Sequence, residues 1–104
     1  MKYYKVVIAA DNGQLYSFLY WKYHAVVYKV NEKTEPNYPD KPLFVFHDLE
    51  HAKILAEYDS TAYIYECEIE PWEGNKVEFL RDCEICFTDH IVLAKSVTLL
   101  NRVY

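Results

Sequence analysis

The sequence predicts an α+β domain: a mostly antiparallel sheet of five to seven strands carrying one main helix. Three observations predict it. Stretches rich in Tyr, Val, Ile and Phe recur along the chain, and the clearest of them alternates with a period of two. Turn-forming residues punctuate these stretches, among them an Asn-Gly pair and a proline cluster. Apolar residues at helical spacing occur once, after Asp48. With 104 residues, of which 52% are hydrophobic and 26% charged, the chain has material for one core and reads as a single domain over 1–104.

Tyr3 to Ala10 reads as a buried first strand, stopped by Asp11-Asn12-Gly13. Asn-Gly between apolar stretches is the strongest hairpin signal in the chain. Leu15 to Tyr20 alternates next, with apolar residues on both faces, and His24 to Val30 forms a third strand around Val26, Val27, Tyr28 and Val30. Residues 31–42 hold three of the four prolines and no apolar period, so they read as a loop. Leu43 to Phe46 is a short strand. Asp48 then caps a helix over about 48–58, in which Leu49, Ala52, Leu55 and Ala56 recur on one face. Ala62 to Glu70 places Tyr63, Tyr65, Cys67 and Ile69 on one side and Glu66, Glu68 and Glu70 on the other. Pro71 to Asn75 is a turn, and short strands follow near 76–80, 84–87 and 92–100.

Composition narrows the function classes. Two glycines leave no room for dinucleotide fingerprints or phosphate-cradling loops. A formal charge of −5 without a basic run removes the footprint expected for nucleic acid. Apolar runs are too short to span a bilayer, and the start of the chain opens no signal-peptide core, so a cytoplasmic protein is expected. Three cysteines, an odd number, fit free thiols in a reducing compartment.

Four constellations bear on chemistry. Cys83-Glu-Ile-Cys86 and His90, with Cys67 upstream, have the composition of a tetrahedral Cys3His zinc set. Ile85 and Phe87 suggest a strand there, however, and on a strand Cys83 and Cys86 face opposite ways, so no metal is expected. His47-Asp-Leu-Glu50-His51 matches the spacing of the inverted zinc-peptidase motif, but His47 closes a strand ahead of the Asp48 cap, and the match reads as chance. Glu66, Glu68 and Glu70 form an acidic row of the kind any solvated strand presents. Aromatic residues are the fourth: Tyr16, Phe18, Tyr20, Trp21, Tyr23 and Tyr28 lie within thirteen residues, more than a one-helix core buries. Tyr and Trp are favoured at binding hot spots, so Tyr16, Phe18, Tyr20, Trp21 and Tyr23, with the acidic row, are the expected binding surface.

Tyr4-Lys-Val-Val7, Gly13-Gln-Leu-Tyr-Ser17 and Val27-Tyr28, followed by Phe44-Val-Phe46-x-Asp48, Ala52 and Tyr65-Glu-Cys-Glu-Ile69, resemble a family of small domains from phages and bacteria. Their layout is distantly similar to the ADP-ribosyltransferase fold. That resemblance implies NAD as a ligand, with Glu66 and Glu68 as the acidic pair that orients the nicotinamide ribose. The chain departs from the pattern on its first strand, where Lys2 and Lys5 stand in place of an Arg or His, and it has no Ser-Thr-Ser motif. The expectation is therefore a non-enzymatic module without cofactor that docks on a host protein and inhibits a defence or regulatory factor. Self-association through an uncapped strand edge is open to it. An NAD-using transferase and a zinc-stabilised module are the alternatives.

Overall fold

Residues 2–18, 26–37, 42–74 and 90–104 are described by the computed structural model. Strand β1 (Tyr3–Ala9) runs into β2 (Leu15–Ser17) through the turn at Asn12-Gly13. The connection is a three-residue loop, not the two-residue turn that Asn-Gly usually marks. Gly13 N donates to the Ala10 carbonyl and Ala10 N to the Gln14 carbonyl, each at 2.9 Å. Within this loop only Gly13 takes the left-handed conformation, at φ +83°, which a glycine adopts without a Cβ clash. Asn12 instead holds the loop from outside, its Oδ1 accepting from Gln14 N at 3.0 Å.

β3 (Val27–Tyr28) pairs with β2, and β4 (Lys33–Thr34) pairs with the last strand. The segment expected to be a continuous loop over 31–42 therefore contains a strand. Asn31, at φ 66°, turns the chain between β3 and β4, and Glu32 N closes that turn on the Lys29 carbonyl. β5 (Leu43–Phe46) leads to α1 (Leu49–Ala56), and the sheet is completed by β6 (Ala62–Pro71) and β7 (Ile91–Arg102). The expected strands near 76–80 and 84–87 lie outside the described residues, as do Leu19, Tyr20, His24 and Ala25 of the second and third expected strands.

Every pairing among the described residues is antiparallel. β1 pairs with β6, β6 with β7, β7 with β5, and β5 returns to β1 at Tyr4↔Phe46, so the sheet closes on itself. The long β7 makes closure feasible. Its register against β6 slips twice, leaving Leu100 and then Lys95 as extra residues, and such bulges bend and twist a strand.

Alternation along these strands produces two cores. Val7, Leu15, Tyr28, Val45, Cys67, Val97 and Leu99 belong to one and fill the inside of the closed sheet. Val6, Phe44, Phe46, Ile64, Ile91 and Leu93 face outward, where α1 covers them with Ala52, Leu55 and Ala56. β5 is buried throughout because it feeds both: Leu43 and Val45 point inward, Phe44 and Phe46 toward the helix. Each fully buried side chain of this size stabilises by roughly 1.5–3 kcal/mol relative to exposure.

Asp48 is the helix N-cap, extended at φ −135° and ψ 144°, with its side chain accepting from His51 N at 3.0 Å. The helix ends two residues before the expected boundary, because Tyr58 N and Asp59 N bond carbonyls three residues back. Burial pushes the Asp48 carboxyl up, but hydrogen bonds from the His51 ring and backbone, with charge on His51 and His90, outweigh it and hold it below the ordinary carboxylate value. A depressed native value stabilises above the unfolded value and is lost as pH falls through the native one. Asp48→Ala is thus expected to lower stability by about 1 kcal/mol at neutral pH, a difference that shrinks in acid. Urea melts of both proteins at neutral and acid pH would check it, and an equal difference at both would count against the cap.

Candidate functional site

Register brings the histidines together. Phe46 pairs with Ile91 at the end of the β5–β7 ladder, and His47 N continues that ladder by donating to the His90 carbonyl at 3.3 Å. His47 and His90 are therefore cross-strand neighbours, their ring centroids 5.4 Å apart. The chain then turns into α1, which places the Asp48 carboxylate beside both. Asp48 Oδ1 lies 3.4 Å from His90 Nδ1 and 3.7 Å from His47 Nδ1. One helical turn on, His51 Nδ1 lies 2.5 Å from Asp48 Oδ2, and its ring stacks on that of His90 with centroids 3.4 Å apart and planes 11° from parallel.

The two carboxylate oxygens thus have different surroundings. Oδ2 receives both the backbone N–H and the ring nitrogen of His51. Oδ1 and His90 Nδ1 are buried atoms without a hydrogen-bond partner, although the side chains carrying them are 30% and 36% exposed. One ligand-type atom from each of His47, Asp48 and His90 lies within 4.8 Å of the other two.

The spacing His47-x-x-Glu50-His51 therefore has a structural outcome, though not that of an inverted peptidase motif. His47 stands outside the helix, Glu50 is exposed, and Asp48 is the acid between the rings. In the sequence, Asp48 reads only as a helix cap and His90 only as a companion of the cysteines. The available signal was that His47 follows a strand and His90 precedes one, which becomes informative only when those strands are known to pair. Cys67 points into the closed sheet opposite Leu99, nine residues along β7 from His90, so the two do not share a site. Burial pushes the Cys67 thiol up to about 12. Cys83 and Cys86 lie outside the described residues.

Lys5 is a further buried titratable group, 1% exposed. β1 and β5 are joined at Tyr4↔Phe46, and across the gap beyond it Lys5 Nζ donates to the Phe44 carbonyl at 2.9 Å. The same nitrogen sits 4.0 Å from the Phe44 ring centroid and 5.5 Å from that of Tyr28. Burial lowers its pKa to about 7, against an opposing effect of Cys67.

The acidic row sits on β6 beyond the part covered by α1. Glu66 pairs with Lys2 at 3.5 Å, Glu68 is exposed, and Glu70 pairs with Lys33 at 2.5 Å while accepting from Ser96 Oγ at 2.7 Å. Lys33 and Ser96 hold the Glu70 carboxyl below its ordinary value. Of the expected aromatic surface, Tyr16 and Phe18 are half-buried and line a cleft of about 380 Å³ with Ile8, Ser17 and Asp59. The Tyr16 hydroxyl donates to Gln14 Oε1, which steadies that ring. Tyr20, Trp21 and Tyr23 lie outside the described residues.

Among the described residues no helix is long and apolar enough to cross a membrane. No protein-family model, curated protein or solved structure matches this chain.

Proposed function

We propose that this chain is a small, non-enzymatic docking module of phage type that binds a host protein through its aromatic side. The observation that carries the reading is the cleft on one face of the β1–β2 pair, beside Asp59. Ile8, Tyr16 and Phe18 line it with Asp59, while the buried Ser17 hydroxyl is already taken up in accepting from Val26 N. Large, rigid aromatic walls with a few polar groups suit capture of an apolar anchor from a partner. Lys5 and Cys67 are enclosed, and Glu66 and Glu70 are held in ion pairs.

Selection of peptides from a display library on the folded protein tests this reading. Enriched peptides are expected to lose about tenfold or more in affinity for Tyr16→Ala and for Phe18→Ala, and to keep it for Ile54→Ala on the exposed side of α1. No enrichment, or binding that survives both substitutions, would overturn it. The transferase resemblance would instead place NAD against Glu66 and Glu68. An NAD titration separates the two, because docking expects none to bind.

A further inference from the structure

We propose that His47, Asp48 and His90 form a binding site for one divalent transition-metal ion of the zinc type. Distances carry the first part of the argument. Ligands about 2.0–2.1 Å from a tetrahedral ion lie about 3.3 Å from one another. Asp48 Oδ1 stands 3.4 Å from His90 Nδ1 and 3.7 Å from His47 Nδ1. A small inward movement of His47, the most exposed of the three at 44%, completes that spacing.

Unsatisfied polar atoms carry the second part. Asp48 Oδ1 and His90 Nδ1 face each other, buried, without a hydrogen bond between them or to any other group. Leaving such atoms bare is unfavourable, whereas a bound cation satisfies both at once. The surroundings then supply what metal sites need around the ligands. His51 fixes the other carboxylate oxygen through two donors and holds the His90 ring plane by stacking on it. Backbone pairing through His47 N and the His90 carbonyl fixes the two imidazoles from below.

Ligand type selects the ion. Two imidazoles and one carboxylate favour zinc, nickel, cobalt or iron over magnesium and calcium, which bind oxygen. Three protein ligands leave at least one coordination position for water or for a donor from another molecule. The site also ties the start of α1 to the end of the β5–β7 ladder, so its occupation reaches the helix-covered core.

Zinc sulfate titrated into chelator-treated full-length protein, followed by native mass spectrometry and calorimetry, tests the proposal. One zinc per chain is expected, with affinity at least about tenfold weaker in His47→Gln and in His90→Gln and unchanged in the Cys83→Ser/Cys86→Ser double variant and in His24→Gln. Circular dichroism checks that the variants fold. Cobalt added to the unaltered protein decides independently of any variant: visible bands are expected without a thiolate charge-transfer band. No binding, a thiolate band, or zinc that survives both His47→Gln and His90→Gln would overturn the site.

Discussion

Lys5→Met is expected to stabilise the protein near pH 6 and to lose that advantage near pH 9. Lys5 is enclosed, with its amine held by the Phe44 carbonyl and two aromatic rings. Burial lowers its pKa from 10.5 to about 7. Below the lowered value the amine is charged in both states, and its enclosure then costs the folded state up to about 5 kcal/mol. Methionine fills similar space without charge, but leaves the Phe44 carbonyl without its Lys5 donor, a loss of roughly 1–3 kcal/mol. The net gain near pH 6 is therefore about 2–4 kcal/mol.

Linkage fixes the sign of the pH dependence. Between about 7 and 10.5 the unfolded chain binds a proton that the folded one has released, so stability rises with pH, by about 2 kcal/mol between pH 7 and pH 9. Cys67 acts in the opposite sense. Its thiol, pushed up to about 12 from 9.0, keeps a proton that the unfolded chain loses, so stability falls as pH rises above 9. Through these two groups the wild-type protein should be most stable between about pH 9 and pH 10, and Lys5→Met should lack the rise that leads there. Urea denaturation of both proteins at several pH values measures this. A wild-type stability that is flat from pH 6 to 9 would show that the amine is not penalised by its enclosure.

Lys5 also marks the boundary of what the sequence discloses. In sequence it is a polar residue on a buried strand and nothing more. Its burial depends on β1 and β5 parting after Tyr4↔Phe46, a long-range event with no local signature. Local chemistry was legible wherever one segment decides it. The Asn-Gly turn, the Asp48 cap, the helix and the alternation of Tyr63, Tyr65, Cys67 and Ile69 against the glutamates follow from their own neighbourhoods. Closure of the sheet was not legible, because it needs β6 and β1 to pair across more than fifty residues and β7 to bulge at Leu100 and Lys95. The histidine cluster is hidden for the same reason. His47 and His51 are close in sequence, but the ring that makes them a site comes from His90, delivered by strand register.

Phe46 joins these long-range events, and Phe46→Ala is expected to cost roughly 3–5 kcal/mol. The ring is fully buried and packs edge-on against Phe44, with centroids 6.1 Å apart. Its backbone pairs with Tyr4 on one side, where the sheet closes, and with Ile91 on the other, one residue before the histidines meet. Truncation opens a void beneath Ala52, Leu55 and Ala56, and neither a closed sheet nor a capped helix can shift far to fill it. A domain of this size has roughly 5–15 kcal/mol in total, so the loss takes a large fraction of its stability. Ile54→Ala is the control: Ile54 lies on the helix that covers Phe46 but is 40% exposed, and surface substitutions usually stay within about 0.5 kcal/mol. Guanidinium melts of the three proteins would show the contrast directly. A loss below about 1 kcal/mol for Phe46→Ala would mean that the helix-covered face is loosely packed and that the inner core alone holds the closed sheet together. Phe46→Leu separates packing from position: it retains most of the buried area and should keep the cross-strand placement of His47 and His90 while losing about 1–2 kcal/mol.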